Sequence, residues 1–195
     1  DENFDTFSLS WYNNTDVDPA TGLTPYINMQ KVLKVCHDFV DNFDNTFSNL
    51  LFIGQTGVGK TFLSNCIARA LMDSCHSIIY LTAGEFFDSF KSDDFKEFGS
   101  SKFDTSFFIE CDLLIIDDLG TEKASDYNFS NLFNTINERL LRRKSIIISS
   151  NLEMPDIETR YSQRIFSRLV SAYSILRLFG DDIRCMKKLS PTKRS

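Results

Sequence analysis

The sequence predicts an α/β fold in which a parallel β-sheet is covered by helices on both faces. Short runs of Leu, Ile and Phe, such as LLFI at 50–53 and SIII at 145–148, alternate with longer segments of helical periodicity. Continuous apolar strands of this kind are typical of a sheet that is buried on both sides. The chain of 195 residues is long enough to bury roughly 70% of its unfolded-chain surface, and we interpret it as one domain.

A polar lead-in and an amphipathic helix precede the first strand. Residues 1–25, which include WYNNTDVDPATGLTP, contain no sustained period and are predicted to be extended or looping. Apolar residues then recur near helical spacing from Tyr26 to Asp44. An apolar strand at 49–53 is followed by a helix over 60–72. We therefore begin the folded domain at residue 26.

The rest of the chain continues the alternation of strand and helix. Strands are predicted at 77–81, 112–116, 145–149 and 174–179. Helical periodicity is found over 83–90 and 125–143, and residues 155–171 are largely helical in pattern. We end the domain at residue 188 and assign 189–195 to a basic tail.

Composition and charge narrow the functional classes. The net charge of −6 alone argues against a nucleic-acid binder, but residues 139–195 contain 13 Lys and Arg against 5 Asp and Glu. Such a basic end attracts phosphate, either from nucleic acid or from a nucleotide on a neighbouring subunit. Apolar runs fall well short of the ~20 residues of a membrane span. Five cysteines without CxxC spacing predict reduced thiols, and we expect a cytoplasmic protein.

The segment GQTGVGKT at 54–61 fits the phosphate-loop pattern G-x-x-x-x-G-K-[ST] between a predicted strand and a predicted helix. Glycines allow backbone N–H groups to converge on phosphate oxygens, and the helix N-terminus adds a positive dipole end. Lys60 is expected to reach the β- and γ-phosphates, and the Thr61 hydroxyl to ligate Mg²⁺. The predicted nucleotide-binding residues are Gly54, Gln55, Thr56, Gly57, Val58, Gly59, Lys60, Thr61 and Phe62.

Two later strands end in polar side chains. CDLLIIDDLG at 111–120 sets two carboxylates at a strand's carboxyl end, where ligands of open α/β sheets bind. Asp117 is expected to hold the Mg²⁺ shell, and Asp118 to orient the attacking water. SIIISSN at 145–151 ends at Asn151, whose amide can grip the γ-phosphate or the water. Taken alone, these are also the residues of a solvated turn and of an ordinary strand end.

The segment YSQRIFSRLV at 161–170 sets Arg164 and Arg168 four residues apart, on one face of a predicted helix. Either arginine can be a surface salt-bridge partner. The alternative is a catalytic role in which the guanidinium enters the nucleotide site of an adjacent subunit. There it neutralises charge that develops in the transition state. We predict this role for Arg168 first and for Arg164 second.

In this order, the four motifs resemble those of the AAA+ ATPases, a branch of the three-layer P-loop NTPases. More closely, the chain resembles the bacterial replicative helicase-loader family of DnaC and DnaI, to which IstB-type ATPases are close. The resemblance covers about residues 4–188. The segments on which the resemblance rests are LLFIGQTGVGKTFLSNCIA, IIYLTAGEFFD, CDLLIIDDLGTE, LFNTINERLLRRKSIIISSN, RIFSRL and RLFGDDIR.

The resemblance implies a five-stranded parallel sheet in the order 5-1-4-3-2 and no C-terminal lid domain, hence no lid-borne sensor arginine. It implies slow, assembly-dependent hydrolysis of ATP with Mg²⁺ in a ring or spiral, with Arg168 acting on the neighbouring subunit. Family members hold single-stranded DNA at the centre and place a hexameric replicative helicase on it. Because the chain begins at Asp1 rather than Met, we expect the helicase-binding N-terminal region to lie outside it.

Several points stay open at this level. The acidic pair is Asp-Asp, whereas most AAA+ proteins have Asp-Glu; loaders of this branch often share it. An IstB-type transposition helper has the same motifs, and a nucleotide-gated scaffold without turnover is a second alternative. The Phe-rich segment 86–108, with Lys91, Lys96 and Lys102 interleaved, either contacts DNA or packs as core. We favour core for most of these rings.

Overall fold

The computed structural model describes residues 2–91 and 105–189. Within these ranges the strands are β1 (Leu50–Ile53), β2 (Ile78–Thr82), β3 (Leu113–Leu119), β4 (Ser145–Ser150) and β5 (Ser174–Arg177). The helices are α1 (Pro25–Asp41), α2 (Lys60–Asp73), α3 (Ala83–Lys91), α4 (Phe107–Glu110), α5 (Asp126–Leu141), α6 (Met154–Arg160), α7 (Gln163–Ala172) and α8 (Ile183–Leu189). No helix in the described ranges has the length and apolar character needed to cross a membrane.

The strands form one parallel sheet in the order β2-β3-β4-β1-β5. This is the predicted order seen from the opposite edge, and the α/β fold class is therefore confirmed. The central strand β1 pairs with β4 and β5. Because all carboxyl ends meet at one edge, the loop after β1 lies beside the ends of β3 and β4. A register irregularity between Ile116 and Leu119 bends β3 where its two aspartates stand.

Successive residues of each strand face opposite cores, which explains the continuous apolar runs. Leu51 and Ile53 belong to the core beneath α3, α5 and α7, whereas Leu50 and Phe52 belong to the core beneath α1 and α2. All four side chains are buried. A sheet with helices on both faces requires apolar residues in both registers.

Two elements near the carboxyl end differ from the prediction. Residues 155–171 form two helices, because the backbone at Tyr161 is extended and the Ser162 hydroxyl caps the new helix α7. The fifth strand ends at Arg177 rather than at 179. After it comes α8, a seven-residue helix that the apolar pattern did not reveal.

The lead-in packs against the core instead of looping freely. Two short 3-10 turns, Phe4–Thr6 and Leu9–Trp11, bring aromatic side chains onto the face formed by α1 and α2. Tyr12 is buried, and its hydroxyl donates a hydrogen bond to Val58 O at 3.1 Å. Through Tyr12, the lead-in therefore contacts the phosphate loop directly.

The Phe-rich segment is partly core, as favoured. Phe86, Phe87 and Phe108 are fully buried and packed against one another, whereas Phe107 is 56% exposed. Residues 92–104, with three further phenylalanines and Lys96 and Lys102, lie outside the described residues. So does nearly all of the predicted basic tail. The cysteines are free thiols, and Cys36, Cys66 and Cys111 are buried.

Candidate functional site

The phosphate loop joins β1 to α2 and is enclosed by segments distant in sequence. Gly57 and Gly59 have φ values of 82° and 105°, in the left-handed region that glycine tolerates. A Cβ atom on Gly59 would lie 2.5 Å from the Tyr12 hydroxyl, and one on Gly57 would lie 2.2 Å from the Asp182 carboxyl carbon. Both positions therefore require glycine on conformational and on steric grounds.

Lys60 lies at the centre of the loop and is buried. Its Nζ donates hydrogen bonds to Gly54 O, Gln55 O and Asn151 Oδ1, each at 2.7 Å. Burial lowers the pKa of Lys60, and the neighbouring carboxylates of Asp118 and Asp117 oppose this shift. All three protons of the ammonium group are engaged, so a bound phosphate has to replace at least one of these acceptors.

Asp117 is held by three hydroxyl groups at the end of β3. Its Oδ2 accepts hydrogen bonds from Thr61 Oγ1 at 3.0 Å and from Tyr80 Oη at 2.9 Å. Its Oδ1 accepts a hydrogen bond from Ser149 Oγ. Burial, followed by the charge of Asp117, raises the pKa of Tyr80. The structure thus brings the predicted pair Thr61 and Asp117 together. Their hard oxygen atoms are of the kind that Mg²⁺ takes as ligands.

Asp118 points a second carboxylate away from this cluster. Its φ of 57° is left-handed, a conformation that Asp and Asn adopt more readily than other side chains. Its backbone N–H donates to Ser149 Oγ at 2.9 Å, and its Oδ1 accepts a hydrogen bond from Asn151 Nδ2 at 3.3 Å. Asn151 therefore bridges Lys60 and Asp118, the cation and the candidate base of the site.

These groups line a cavity of about 130 Å³, here called the phosphate cavity. Its lining consists of Thr56, Gly57, Gly59, Lys60, Thr61, Asp118, Asn151 and Arg184. Residues from all three sequence motifs thus line one space. Asp117 is not part of this lining, but it accepts a hydrogen bond from Thr61, which is. Cation, carboxylate and amide are arranged to bind a polyphosphate and to orient a water molecule beside it.

Arg184 is a site residue that the sequence reasoning missed. It lies in α8, whose first N–H, that of Ile183, donates to Gly57 O at 3.1 Å. Asp182 fixes this turn by accepting hydrogen bonds from the backbone N–H groups of Arg184 and Cys185, and these bonds lower its pKa. The signal that could have found it is an arginine within RLFGDDIR, shortly after the last strand.

A second cavity, of about 410 Å³, adjoins the first and is here called the aromatic cavity. Its lining includes the rings of Phe7, Trp11, Tyr12 and Phe62. Phe7 packs edge-on against Phe62 with ring centroids 5.4 Å apart. The two cavities share Gly57, Gly59, Thr61 and Arg184. The aromatic cavity thus continues from the phosphate loop, and most of its aromatic residues come from the lead-in.

Arg164 and Arg168, the arginines predicted to act on an adjacent subunit, lie away from the phosphate cavity. Arg164 and Arg168 are exposed on α7, where they line a separate, open cavity of about 910 Å³ together with Phe133 and Glu158. Among the described residues that line the phosphate cavity, neither arginine is included. The structure does not bring them to the chain's own phosphate loop, and their exposure leaves them accessible to a second molecule.

Comparison with known proteins gives concordant results. A family model described as "IstB-like ATP binding protein" matches residues 27–190. The replicative helicase loader DnaC of Escherichia coli strain K12 is 23% identical over 151 residues, which are 77% of this chain and 61% of DnaC. The chain thus spans about three fifths of the length of that relative.

Solved structures agree with the fold. A crystal structure of the DnaC helicase loader superposes with a TM-score of 0.65 at 21% identity, covering 88% of this chain and 96% of that one. A replication initiator DnaA bound to AMPPCP and single-stranded DNA superposes with a TM-score of 0.66 at 19% identity, covering 85% and 53%. At these identities the likeness concerns the fold, which is that of the AAA+ proteins.

Proposed function

Because the chain belongs to the family of IstB-like ATP binding proteins, we propose that it hydrolyses ATP in an active site shared between two subunits. It is an AAA+ ATP-binding protein distantly related to the DnaC helicase loaders. One observation carries the proposal. The phosphate cavity contains a cation, a carboxylate and an amide, whereas the exposed pair Arg164 and Arg168 lines another surface. One subunit then supplies the loop and its neighbour the arginines.

In this proposal the triphosphate of ATP occupies the phosphate cavity and its base the aromatic cavity. Lys60 exchanges carbonyl acceptors for β- and γ-phosphate oxygens, and Arg184 contacts the phosphates from α8. Thr61 and Asp117 would hold Mg²⁺. When bound there, the metal ion would supply positive charge that neutralises the phosphates of ATP. Tyr80 and Ser149 keep the Asp117 carboxylate in place through their hydrogen bonds.

Asp118 acts on the attacking water. Its carboxylate accepts a proton while the water oxygen bonds to the γ-phosphorus, the bond to the bridging oxygen breaks, and ADP and phosphate leave. Asn151 holds this carboxylate through its amide N–H and faces the γ-phosphate from the side. The guanidinium of Arg168 from the neighbouring subunit, assisted by Arg164, neutralises the charge that builds up in the transition state.

At the level of biology, the chain is the AAA+ core of a DNA replication helicase loader. It assembles with ATP into a ring or spiral around single-stranded DNA and helps to place a hexameric replicative helicase on that strand. The relationship to DnaC and the basic residues of 139–195 support this role.

A transposition helper is the second candidate, and the description of the matching family model favours it. The two roles differ in the partner. A pull-down with the full-length protein from its native cell is expected to recover a replicative helicase in the first case and a transposase in the second.

The shared site is tested by measuring ATP hydrolysis against protein concentration, with and without single-stranded DNA. We expect specific activity to rise as concentration or DNA drives assembly, and Arg168→Ala to abolish the rise while the monomer still binds ATP. Arg69→Ala is the matched control, because Arg69 is an exposed arginine that forms an ion pair with Asp73 on α2. Activity independent of concentration, or an unchanged rise in Arg168→Ala, would contradict the shared site.

A further inference from the structure

A buried carboxylate, that of Glu122, joins two segments of the site that are far apart in sequence. Its side chain is 3% exposed. Oε2 accepts a hydrogen bond from the backbone N–H of Gly120 at 2.7 Å, and Oε1 accepts one from Tyr161 Oη at 2.6 Å. Arg160 places its Nε 3.5 Å from Oε1 and donates through its terminal nitrogen to Glu122 O.

One end of this connection lies beside the candidate base. Gly120 is two residues after Asp118, and the intervening loop is fixed by Thr121 Oγ1, which donates to Asp118 O at 2.9 Å. The left-handed φ of Gly120, 107°, places its Cα against Leu152, so that a Cβ would lie 2.6 Å from a Leu152 methyl carbon. The loop therefore has little freedom to move independently of Asp118.

The other end lies at the start of the arginine helix. Tyr161 separates α6 from α7, and the next residue, Ser162, caps α7. The Tyr161 ring is buried and packs edge-on against Phe129 of α5 at 5.3 Å. Burial and the hydrogen bond to Glu122 raise the pKa of Tyr161, which keeps its hydroxyl a donor. A shift of Glu122 is thus transmitted to the first turn of the helix that carries Arg164 and Arg168.

A buried carboxylate is costly unless its charge is matched and its oxygens are hydrogen-bonded. Here both conditions are met by groups from two segments. Gly120 lies two residues before Glu122, and Arg160 and Tyr161 lie 38 and 39 residues after it. Separating the segments would leave a buried charge unpaired. The network therefore ties the Asp118 loop to the start of α7 through a buried charge.

We propose that Glu122 is a positioning residue that couples a subunit's own nucleotide site to the arginines that this subunit presents to its neighbour. The inference rests on the shared active site proposed above. Contact of the γ-phosphate with Asn151, whose amide also bonds the side chain at position 118, sets the loop at Gly120, and Glu122 passes that setting to Tyr161 and α7. A subunit that holds ATP then presents Arg168 in the productive position.

The experiment separates the two roles of a subunit by mixing. Donor subunits carry Asp118→Asn, which silences their own hydrolysis but retains Arg168. They are added in excess to a limiting amount of wild-type acceptor subunits with ATP and single-stranded DNA. Donors with an additional Tyr161→Phe or Glu122→Gln substitution are compared. Tyr161→Phe keeps the ring on Phe129 and removes only the hydroxyl. Tyr127→Phe is the matched control, because Tyr127 donates to Phe90 O on another surface.

We expect plain donors and Tyr127→Phe donors to raise the rate per acceptor. Tyr161→Phe and Glu122→Gln donors are expected to raise it about tenfold less, since misplacing a catalytic group by about 1 Å can cost about 100-fold in rate. When the Tyr161→Phe subunit serves as the acceptor for plain donors, we expect it to retain its KM for ATP and its turnover. The substitution would then impair a subunit as donor but not as acceptor, an asymmetry that general destabilisation would not produce. Thermal unfolding of each variant checks that it is folded.

The outcomes distinguish the two proposals. If plain donors fail to stimulate wild-type acceptors, the shared site is refuted and this inference with it. If plain donors stimulate and Tyr161→Phe and Glu122→Gln donors do so equally well, the shared site stands and the coupling by Glu122 is wrong. Equal loss of donor and acceptor activity in Tyr161→Phe would also overturn it, because the substitution would then act on the fold.

Discussion

Replacing Lys60 by methionine removes the ammonium group from the phosphate cavity while retaining most of the side chain's length. The three hydrogen bonds of Nζ go to Gly54 O, Gln55 O and Asn151 Oδ1. Asn151 lines the phosphate cavity, where water can replace the ammonium, so we expect the free energy of unfolding to fall by about 1–3 kcal/mol, the cost of leaving a buried acceptor unsatisfied. The variant should fold.

The effect on nucleotide affinity is expected to be at least as large. Lys60 is placed to reach two phosphates, and each charged hydrogen bond contributes roughly 1.5–3 kcal/mol. Because the ammonium gives up carbonyl acceptors on binding, we take the lower value for each, which amounts to about 3 kcal/mol. The dissociation constant for ATP should therefore rise by roughly 150-fold.

Thermal and urea unfolding with and without ATP measure both quantities at once. At a concentration 100 times the wild-type dissociation constant, ATP stabilises the wild type by about 2.7 kcal/mol, and the variant should gain only about 0.3 kcal/mol. Lys31→Met, an exposed lysine of α1, is the matched control and should keep the full gain. Full ATP stabilisation in Lys60→Met would refute the assignment of the phosphate loop.

Three further changes test other parts of the site and the fold. Asp118→Asn should bind ATP and release phosphate at least ~10-fold more slowly than the wild type. Turnover at the wild-type rate would show that Asp118 is not the catalytic base. Trp11→Ala should weaken ATP binding about tenfold, the effect of losing one aromatic ring that stacks on the base. Unchanged affinity for ATP in a titration would show that the base does not bind in the aromatic cavity. A hydrogen bond to Asp44 raises the pKa of His76 in the folded protein. The stabilisation that this pair contributes is therefore complete below about pH 6.5 and is lost as the pH rises through the folded-state pKa of His76. Urea unfolding at a series of pH values should therefore show the free energy of unfolding of the wild type falling over that pH interval, whereas that of His76→Gln should not fall there. The same fall in both proteins would exclude a stabilising contribution of the His76–Asp44 pair.

The parts of the site that the sequence predicted are those encoded by local pattern. GQTGVGKT predicts a loop between strand and helix, and DDLG and SSN each follow an apolar strand. Parallel strands must end at one edge, and this geometry alone brings Lys60, Asp118 and Asn151 together. The strand order itself came from the resemblance to the AAA+ proteins. Periodicity does not determine which strands are neighbours.

What the sequence did not reveal depends on contacts between irregular segments. Tyr12 reaches Val58 from a polar lead-in that has no periodicity. Arg184 reaches the phosphate cavity from a helix of seven residues, too short to show an amphipathic pattern. No sequence pattern marks Glu122 as a buried residue, and its contact with Tyr161 depends on the break between α6 and α7.

The left-handed backbone at Asp118 restricts which acids evolution can use at this position. Most side chains cost about 1–2 kcal/mol in that conformation, whereas Asp and Asn adopt it with less penalty because their short polar groups bond locally. A single-base change to glutamate, the commoner acid of AAA+ proteins, would therefore lengthen the side chain at a point where the backbone disfavours it. The route from Asp to Glu passes through a second change, a relaxed φ in the bulge of β3. Chains that carry glutamate here should differ from this one in backbone as well as in side chain.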